Sequence, residues 1–445
     1  MSTLLITGGT LIRKDGEDPK PSAVGTGLGQ ERSNILIQDR KISLVEGEGI
    51  VDQTLDASGM LIFPGLIDCH VHFREPGLTH KATMESEAHA ARAGGVTTVC
   101  EMPNTIPPTF TAEALEEKVA IAKKVTDCDI HFFMGATTHE HLEALRSVWM
   151  GIDPEMKRLK KRCCGLKLFL ENSTGDQKID SDLIEEAFKL CAEIDCPITA
   201  HCEDPHLNEA ASAEIKSNNV ASHSQRRPPE SEAASIEYAT TLARRYGTQL
   251  HIAHLSTGLG LELVRLVKSE GLPVTCEVTP HHLFLDTDQY EHLGTYGKMN
   301  PPLRSSDDSA ALWQGIADGV VDCVATDHAP HTKEEKETDP PLSAPSGVPG
   351  VETMLPLLLT AASKGKITYP DITRLCFENP NKLYNLNKQD VVDGSTGDIV
   401  IIDPKEEWEI RAEQLHSACG WTPFEGAKMQ GRVKYVLQAN EGYKV

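Results

Sequence analysis

The sequence predicts an α/β protein whose main unit is a (β/α)8 TIM-type barrel, and two observations carry that prediction. Between residues 60 and 330, short apolar segments of strand-like composition alternate with longer helix-like segments, and such alternation indicates a parallel sheet. Eight strand candidates within about 270 residues match the usual length of a closed barrel. A doubly wound open sheet is the alternative, but no glycine-rich phosphate loop follows the first strand.

The strand candidates are rich in β-branched and aliphatic residues, which favour extended backbone. In chain order they are MLIFPGLIDCHVH, VTTVCEMP, DIHFFMGA, CGLKLFL, CPITAHC, QLHIAHLS, PVTCEVTP and VVDCVATDH. The clearest helix candidates are TAEALEEKVAIAKKV, DSDLIEEAFKLCAEI, ESEAASIEYATTLARRY and GLELVRLVKSEG. The first of these follows TFTAE, which has the threonine and early acidic residue typical of a helix N-terminus.

Both ends of the chain are β-rich and lack the alternation. LLITGGTLI and NILIQDRKISLVEGE lie near the start, and GDIVIIDPKEEWEI and GRVKYVLQ lie near the end. We therefore expect a barrel domain at 60–384 and a small β-sandwich formed by residues 1–59 together with 385–445. The segment 13–33 is rich in proline, glycine and charge, which predicts a surface loop.

Composition excludes several functional classes. The net charge of −23, with no basic stripe, argues against nucleic acid or an anionic membrane as a partner. The apolar runs are too short to span a bilayer, and the N-terminus has no signal-peptide pattern. The twelve cysteines are scattered through apolar segments, which favours buried, reduced thiols. We expect a cytoplasmic protein.

The stretch DCHVHFREPG suggests a metal site next to a bound anion. His70, His72 and Arg74 occupy alternate positions just after the apolar GMLIFPGLI. Alternate residues of an extended strand point to one side, so the two imidazoles should converge, with the guanidinium just beyond them. A strongly acidic protein needs such a local cation to attract an anionic substrate.

Other strand candidates end in residues of matching chemistry. These are Lys167 in GLKLFL, His201 in ITAHCED, His254 in HIAHLS and Asp327 in VATDHAPH. Active sites of such barrels lie at the carboxyl ends of the strands. Each residue alone has an ordinary structural explanation, but a metal cluster explains all of them, including the otherwise costly charges of Lys167 and Asp327 among apolar neighbours.

The chemistry of this set favours two zinc ions. Histidine, aspartate and a modified lysine suit borderline divalent ions such as Zn²⁺, and one ion would use only part of the set. A carboxylate between two metals would hold them roughly 3.5–4 Å apart, yet strand 4 offers only Lys167 there. A lysine that reacts with CO₂ becomes a carbamate, an anionic bridging ligand, and its buried positive charge disappears.

The motifs together resemble the amidohydrolase superfamily and, within it, the dihydroorotase family, including the dihydroorotase domain of the animal multifunctional pyrimidine-synthesis polypeptide. HVHFREPG combined with TDHAPHT is the most specific part of the resemblance. The match covers nearly all of the barrel and the C-terminal WTPFEGAKMQG. The other matching motifs are EMPNT, GLKLFL, AHCE, HIAHLST, CEVTPHHLFL, KMNPPLR and GVPGVETMLPLLL.

The resemblance implies a role for each matching ligand residue. One zinc ion would be held by His70, His72 and Asp327 and the other by His201 and His254, with carboxylated Lys167 as the bridge. Asp327 would act as base and then acid in the reversible conversion of N-carbamoyl-L-aspartate to L-dihydroorotate, a step of pyrimidine biosynthesis.

The resemblance also implies substrate contacts. Arg74, Asn104 and His331 would bind the substrate carboxylate, which suits a guanidinium. Asn300 and the backbone near Pro349 and Gly350 would contact the ring edge. Ser173 and Thr174 lie where the family has a mobile loop and are candidate contacts, and Glu277 is expected to orient a histidine ligand. The long segment 13–33 departs from the family pattern.

Three alternatives stay open from the sequence. Allantoinase and hydantoinase/dihydropyrimidinase would share the metal ligands, but Arg74, Asn104 and His331 favour a ring that bears a carboxylate. A non-enzymatic scaffold homologue would have lost ligands, whereas all six are present here. The resemblance also raises the expectation of a homodimer and of association with aspartate carbamoyltransferase.

Overall fold

The first strands lie outside the barrel. The computed structural model describes residues 3–13, 30–32, 34–47, 50–171, 178–439, 441 and 443. The strands that precede the barrel are β1 (Leu4–Thr7), β2 (Thr10–Ile12), β3 (Gln30–Arg32), β4 (Asn34–Gln38), β5 (Lys41–Val45), β6 (Gln53–Asp56) and β7 (Leu61–Pro64). Most of the predicted loop at 13–33 falls outside the described residues.

Eight parallel strands, paired in chain order, form the barrel. Strand β8 also connects to the end of β15, because Val71 and His328 form a parallel bridge and the His72 N–H donates to the His328 carbonyl at 2.7 Å. The strands are β8 (Leu66–Val71), β9 (Val96–Glu101), β10 (Asp129–Gly135), β11 (Cys163–Phe169), β12 (Ile198–His201), β13 (Leu250–Ile252), β14 (Val274–Val278) and β15 (Cys323–Val324).

Helices between and after these strands cover the barrel. Threonine side chains cap several of them: Thr111 accepts a hydrogen bond from the Ala114 N–H at 3.2 Å, at the helix start predicted from TFTAE. The helices are α1 (Met84–Ala93), α2 (Ala112–Ala122), α3 (His139–Met150), α4 (Pro154–Lys160), α5 (Ser181–Glu193), α6 (Pro205–Glu214), α7 (Ser222–Arg226), α8 (Pro229–Tyr246), α9 (Gly258–Ser269), α10 (Pro280–Phe284), α11 (Tyr290–Leu293), α12 (Ser306–Ala317), α13 (Lys333–Lys336), α14 (Met354–Ser363), α15 (Tyr369–Thr373) and α16 (Asn379–Leu383).

The two ends of the chain pair with one another. Strands β16 (Ile399–Glu409) and β17 (Lys428–Leu437) form a hairpin, and β16 also pairs with β7 in a sheet of order β17-β16-β7-β2-β3. A second sheet has the order β5-β4-β1-β6. Both sheets contribute to one apolar core, in which Ile6 and Ile35 pack with Ile62 and Ile401.

The predicted fold class is therefore confirmed: an α/β barrel with small β-sheets built from both chain ends. The domain limits at 59/60 and 384/385 stay predictions, and β7, although it follows residue 60, pairs with the small sheet. All twelve cysteines are unpaired and buried. No helix among the described residues combines the length and apolar character needed to cross a bilayer.

Candidate active site

A cavity at the carboxyl ends of the barrel strands collects most of the predicted site residues. His70 lies in β8, Lys167 in β11 and His201 at the end of β12, while His254 and Asp327 follow β13 and β15. All five side chains are buried. The cavity is lined by His70, His72, Arg74, Asn104, Phe169, His201, His254, Asn300, Asp327, Ala329, Ser346 and Gly347.

Three of these side chains form a compact group of possible metal ligands. Oδ1 of Asp327 lies 2.9 Å from Nε2 of His72 and 3.3 Å from Nε2 of His70. One ligand atom from each residue lies within 4.8 Å of the other two. Burial raises the pKa of the Asp327 carboxyl, but His70 and His72 outweigh this effect and hold the pKa below its ordinary value. The aspartate is therefore an anion beside two imidazole nitrogens.

Two further histidines face each other next to this group. Nδ1 of His201 lies 2.9 Å from Nε2 of His254, and the His254 ring centroid is 5.2 Å from that of His70. Burial, followed by the charges of His201 and Lys167, keeps the pKa of His254 well below its usual value. Two imidazole nitrogens this close to each other are suitable ligands for a borderline divalent ion.

Lys167 is the least satisfied polar group of the site. Its side chain is 1% exposed, and none of the described residues offers Nζ a hydrogen bond. Burial lowers the pKa of Lys167 to about 8, and the carboxylates of Glu277 and Asp327 only partly oppose this shift. A buried amine without a partner is costly as an ammonium. The residues present therefore fit a metal centre.

Each of three histidines has its outer ring nitrogen held by an oxygen. Nδ1 of His70 contacts Oε1 of Glu277, and Nδ1 of His72 lies 2.5 Å from Oδ1 of Asn104. Nε2 of His201 lies 2.9 Å from Oε2 of Glu203. Metal-binding histidines usually donate their second N–H to such an oxygen, which sets the tautomer and the ring orientation.

Two of these hydrogen-bond acceptors differ from what we predicted. Asn104, predicted as a substrate contact, uses Oδ1 for His72, and within the described chain its buried Nδ2 has no hydrogen-bond partner. Sequence reasoning missed Glu203, although it follows His201 by two residues in AHCED. Arg227 forms a salt bridge with Glu203 at 2.7 Å and so keeps that carboxylate charged and in place.

A cationic group lies beside the metal-ligand cluster. Arg74 is 4% exposed, its Nε donates to the Pro330 carbonyl at 3.0 Å, and its Nη2 lies 3.1 Å from Nε2 of His331. Lys81 contacts the other ring nitrogen of His331 at 3.2 Å. The backbone at Arg74 has φ 67°, so this residue does not continue the extended strand of His70 and His72 as we expected, yet its side chain lines the same cavity.

The remaining predicted substrate contacts are Asn300, the backbone near Pro349 and Gly350, and the pair Ser173 and Thr174. Oδ1 of Asn300 accepts a hydrogen bond from Oγ of Ser346 at 3.2 Å, and both residues line the cavity. The Gly350 N–H donates to Nδ1 of His328 at 3.0 Å. In this stretch Ser346 and Gly347 line the cavity, which sequence reasoning did not anticipate. Ser173 and Thr174 lie outside the described residues.

The family comparison agrees with this arrangement. The model of the amidohydrolase family matches residues 61–438. The chain belongs to the amidohydrolase family. Family membership and the His70, His72 and Asp327 cluster together support a metal cofactor at the barrel mouth.

Amidohydrolases of known name and structure are similar over most of this chain. A dihydroorotase from Halobacterium salinarum is 42% identical over 418 residues, covering 93% of this chain and 89% of that protein. The multifunctional protein CAD from Squalus acanthias is 36% identical over 87% of this chain and 15% of its own length. The structure of an L-hydantoinase (dihydropyrimidinase) from Arthrobacter aurescens has a TM-score of 0.88 and 27% identity, covering 100% of this chain and 98% of that one. The resemblance to dihydroorotases is confirmed.

Proposed function

We propose that the protein is a dihydroorotase, which reversibly converts N-carbamoyl-L-aspartate to L-dihydroorotate in pyrimidine biosynthesis. The observation that carries the proposal is the placement of the buried Arg74 guanidinium in the same cavity as the His70, His72 and Asp327 cluster. A ring that bears a carboxylate can then be held with its amide next to the metal ligands. The identity to dihydroorotases supports the same substrate.

The donor set supports two zinc ions in this site. One ion would be held by His70, His72 and Asp327 and the other by His201 and His254, and carboxylated Lys167 would be a ligand to both. When bound, such ions make water a nucleophile near neutral pH and polarise the amide carbonyl. Glu277, Asn104 and Glu203 fix the rings of His70, His72 and His201 for this purpose.

Asp327 is the proposed proton carrier. In the hydrolytic direction the oxygen of a water molecule bonds to the ring amide carbon, and Asp327 accepts the proton that the water loses. As the bond from that carbon to the ring nitrogen breaks, Asp327 returns the proton to the nitrogen. In the cyclising direction the same carboxylate removes the proton from the ureido nitrogen and delivers it to the leaving oxygen.

The other predicted contacts would orient the substrate. Arg74 and His331 bind the carboxylate, with the free Nδ2 of Asn104 as an additional donor. The proposed ring-edge contacts are Asn300 and the backbone near Pro349 and Gly350. Ser173 and Thr174 stay candidate loop contacts. A substrate that is already bound and oriented loses less translational and rotational entropy on reaching the transition state, which lowers the activation free energy.

The choice of substrate distinguishes a dihydroorotase from a hydantoinase or an allantoinase. The L-hydantoinase structure shares the fold, but hydantoins and allantoin lack a carboxylate for Arg74. We expect steady-state assays of the zinc-loaded protein to give a kcat/KM for L-dihydroorotate at least about 10³-fold above that for allantoin or hydantoin, because an unpaired buried cation is costly. Comparable turnover of allantoin would overturn the assignment.

The chain retains all six predicted ligands, which agrees with an amidohydrolase enzyme rather than a scaffold homologue. Three further expectations stay proposals. A homodimer, association with aspartate carbamoyltransferase and a cytoplasmic location follow from the family resemblance and the composition. Light scattering of the pure protein, with and without the transferase, measures the first two directly.

A further inference from the structure

Two buried lysines outside the metal centre hold one wall of the cavity. Lys336 is 0% exposed, and its Nζ donates to the carbonyls of Lys298 at 3.0 Å, Pro345 at 3.0 Å and Gly347 at 3.1 Å. The Trp421 ring centroid lies 5.5 Å from the same nitrogen. Three carbonyl acceptors use all three N–H groups of an ammonium, so these contacts suit the charged form.

Lys298 binds the same stretch of chain, residues 342–347, which we call the wall segment. Its Nζ donates to the carbonyls of Leu342 at 2.9 Å and Ala344 at 2.5 Å, and its own carbonyl accepts the Gly347 N–H at 3.0 Å. Hydrogen bonds from a charged donor are roughly twice as strong as neutral ones. The two lysines therefore fix most of the wall segment.

The wall segment faces the catalytic cavity. Ser346 and Gly347 line it together with Arg74 and Asn300. The carbonyl oxygen of Ser346 lies 3.1 Å from Nε2 of His331, and Oγ of Ser346 donates a hydrogen bond to Oδ1 of Asn300. The wall segment thus contacts two of the proposed substrate-binding residues, and its position determines where the side chains of His331 and Asn300 lie.

The charges of the two lysines lack local compensation. Within the described chain, their Nζ atoms bond only to main-chain carbonyls, and neither forms an ion pair with a carboxylate. Burial and mutual repulsion lower the pKa of Lys336, with Arg74 contributing. Buried charges in proteins are normally paired. An anion in the cavity would supply the missing negative charge, in a protein whose net charge of −23 otherwise repels anions.

We propose that Lys298 and Lys336 are specificity-determining residues that hold the wall segment and give the cavity the positive potential that selects a carboxylate-bearing ring. This inference deepens the proposed function and rests on it for the identity of the substrate. It assigns anion selection to two side chains that touch the site only through the wall segment, in addition to the direct contact of Arg74.

The test uses Lys298, because Lys298→Met leaves two main-chain carbonyls without their donor, whereas Lys336→Met would leave three. We expect Lys298→Met, in zinc-loaded protein, to raise the Kd for orotate about tenfold by isothermal titration calorimetry and to raise KM for L-dihydroorotate by a similar factor. Lys298→Arg keeps the charge and should stay within about threefold of the unchanged protein. Zinc content should be equal in all samples.

Lys268→Met is the matched control, since Lys268 also donates to a main-chain carbonyl but is paired with Asp322 away from the cavity. It should leave the Kd for orotate unchanged. Unaltered orotate binding by Lys298→Met, or a Lys298→Arg variant as weak as Lys298→Met, would overturn the inference. If the unchanged protein binds orotate in a Lys298-dependent way but does not turn over L-dihydroorotate, the proposed function fails and the inference stands.

Discussion

Lys167→Ala is expected to lower kcat for L-dihydroorotate by about 10³-fold or more. The substitution removes the proposed anionic bridge between the two metal ions, and a bridge that stabilises the transition state by roughly 4 kcal/mol accounts for that factor. The bound zinc should fall below two per chain, because the site loses its only shared ligand. Steady-state kinetics and elemental analysis of the same preparation measure both effects.

A short carboxylic acid provides a specific control for this variant. Propionate is shorter than the carboxylated side chain that the substitution removes, and it carries the same negative charge. We therefore expect it to restore part of the lost rate in Lys167→Ala and to have no such effect on the unchanged protein. Lys160→Ala removes an exposed lysine on α4 and should keep full activity. A Lys167→Ala enzyme with full rate and two zinc ions would disprove the carbamate.

Asp327→Asn is expected to cost about 10³-fold in kcat, within the range seen when a positioned general base or acid is lost. The asparagine has nearly the same shape, but it cannot accept the proton from water or return it to the ring nitrogen. KM should change less than kcat, because the proposed carboxylate contacts of Arg74 and His331 are intact. Kinetics in both reaction directions should show the same loss.

Metal content separates the two roles of Asp327. If the variant binds close to two zinc ions and is nevertheless inactive, proton transfer is the missing step. Asp318→Asn, at an exposed salt bridge with Arg265, is the matched control and should behave as the unchanged protein. An Asp327→Asn enzyme with nearly normal kcat would assign the proton transfer to another group.

The order and direction of the barrel strands could be predicted because their signal is local. Each strand is a short apolar run followed by a turn or helix start, and parallel strands place their carboxyl ends at one edge. This rule brings His201 and His254 together although 53 residues separate them. The pairing of both chain ends was predictable for the same reason, since only β-rich segments lie at the ends.

Local backbone geometry in the site was not predictable from strand alternation. Arg74, His254 and Asp327 have positive φ values of 67°, 35° and 47°, and none lies inside a strand. Such conformations cost roughly 1–2 kcal/mol for a residue other than glycine and leave no pattern in the sequence. We expected Arg74 at the barrel mouth from strand alternation, and His254 and Asp327 from their positions at strand ends. All three side chains line the cavity, but the turns that bring them there have no signal in the sequence.

Contacts between distant loops were also beyond sequence reasoning. Asn104 meets His72 from the loop after β9, and His331 meets Arg74 across 257 residues. The two glutamates that contact histidine rings, Glu203 and Glu277, differ in how far along the sequence they lie from those histidines. Glu203 follows a ligand by two residues and has a local signal. Glu277, which we expected from the family resemblance alone, reaches His70 because closure of the barrel leaves only β15 between β14 and β8.

Anomalous diffraction at the zinc absorption edge from crystals grown with zinc tests the central claim most directly. We predict two anomalous peaks at the barrel mouth, one beside His70, His72 and Asp327 and the other beside His201 and His254, with electron density for a carboxylated Lys167 between them. A single peak, or none at these residues, together with an unmodified lysine, would contradict the account.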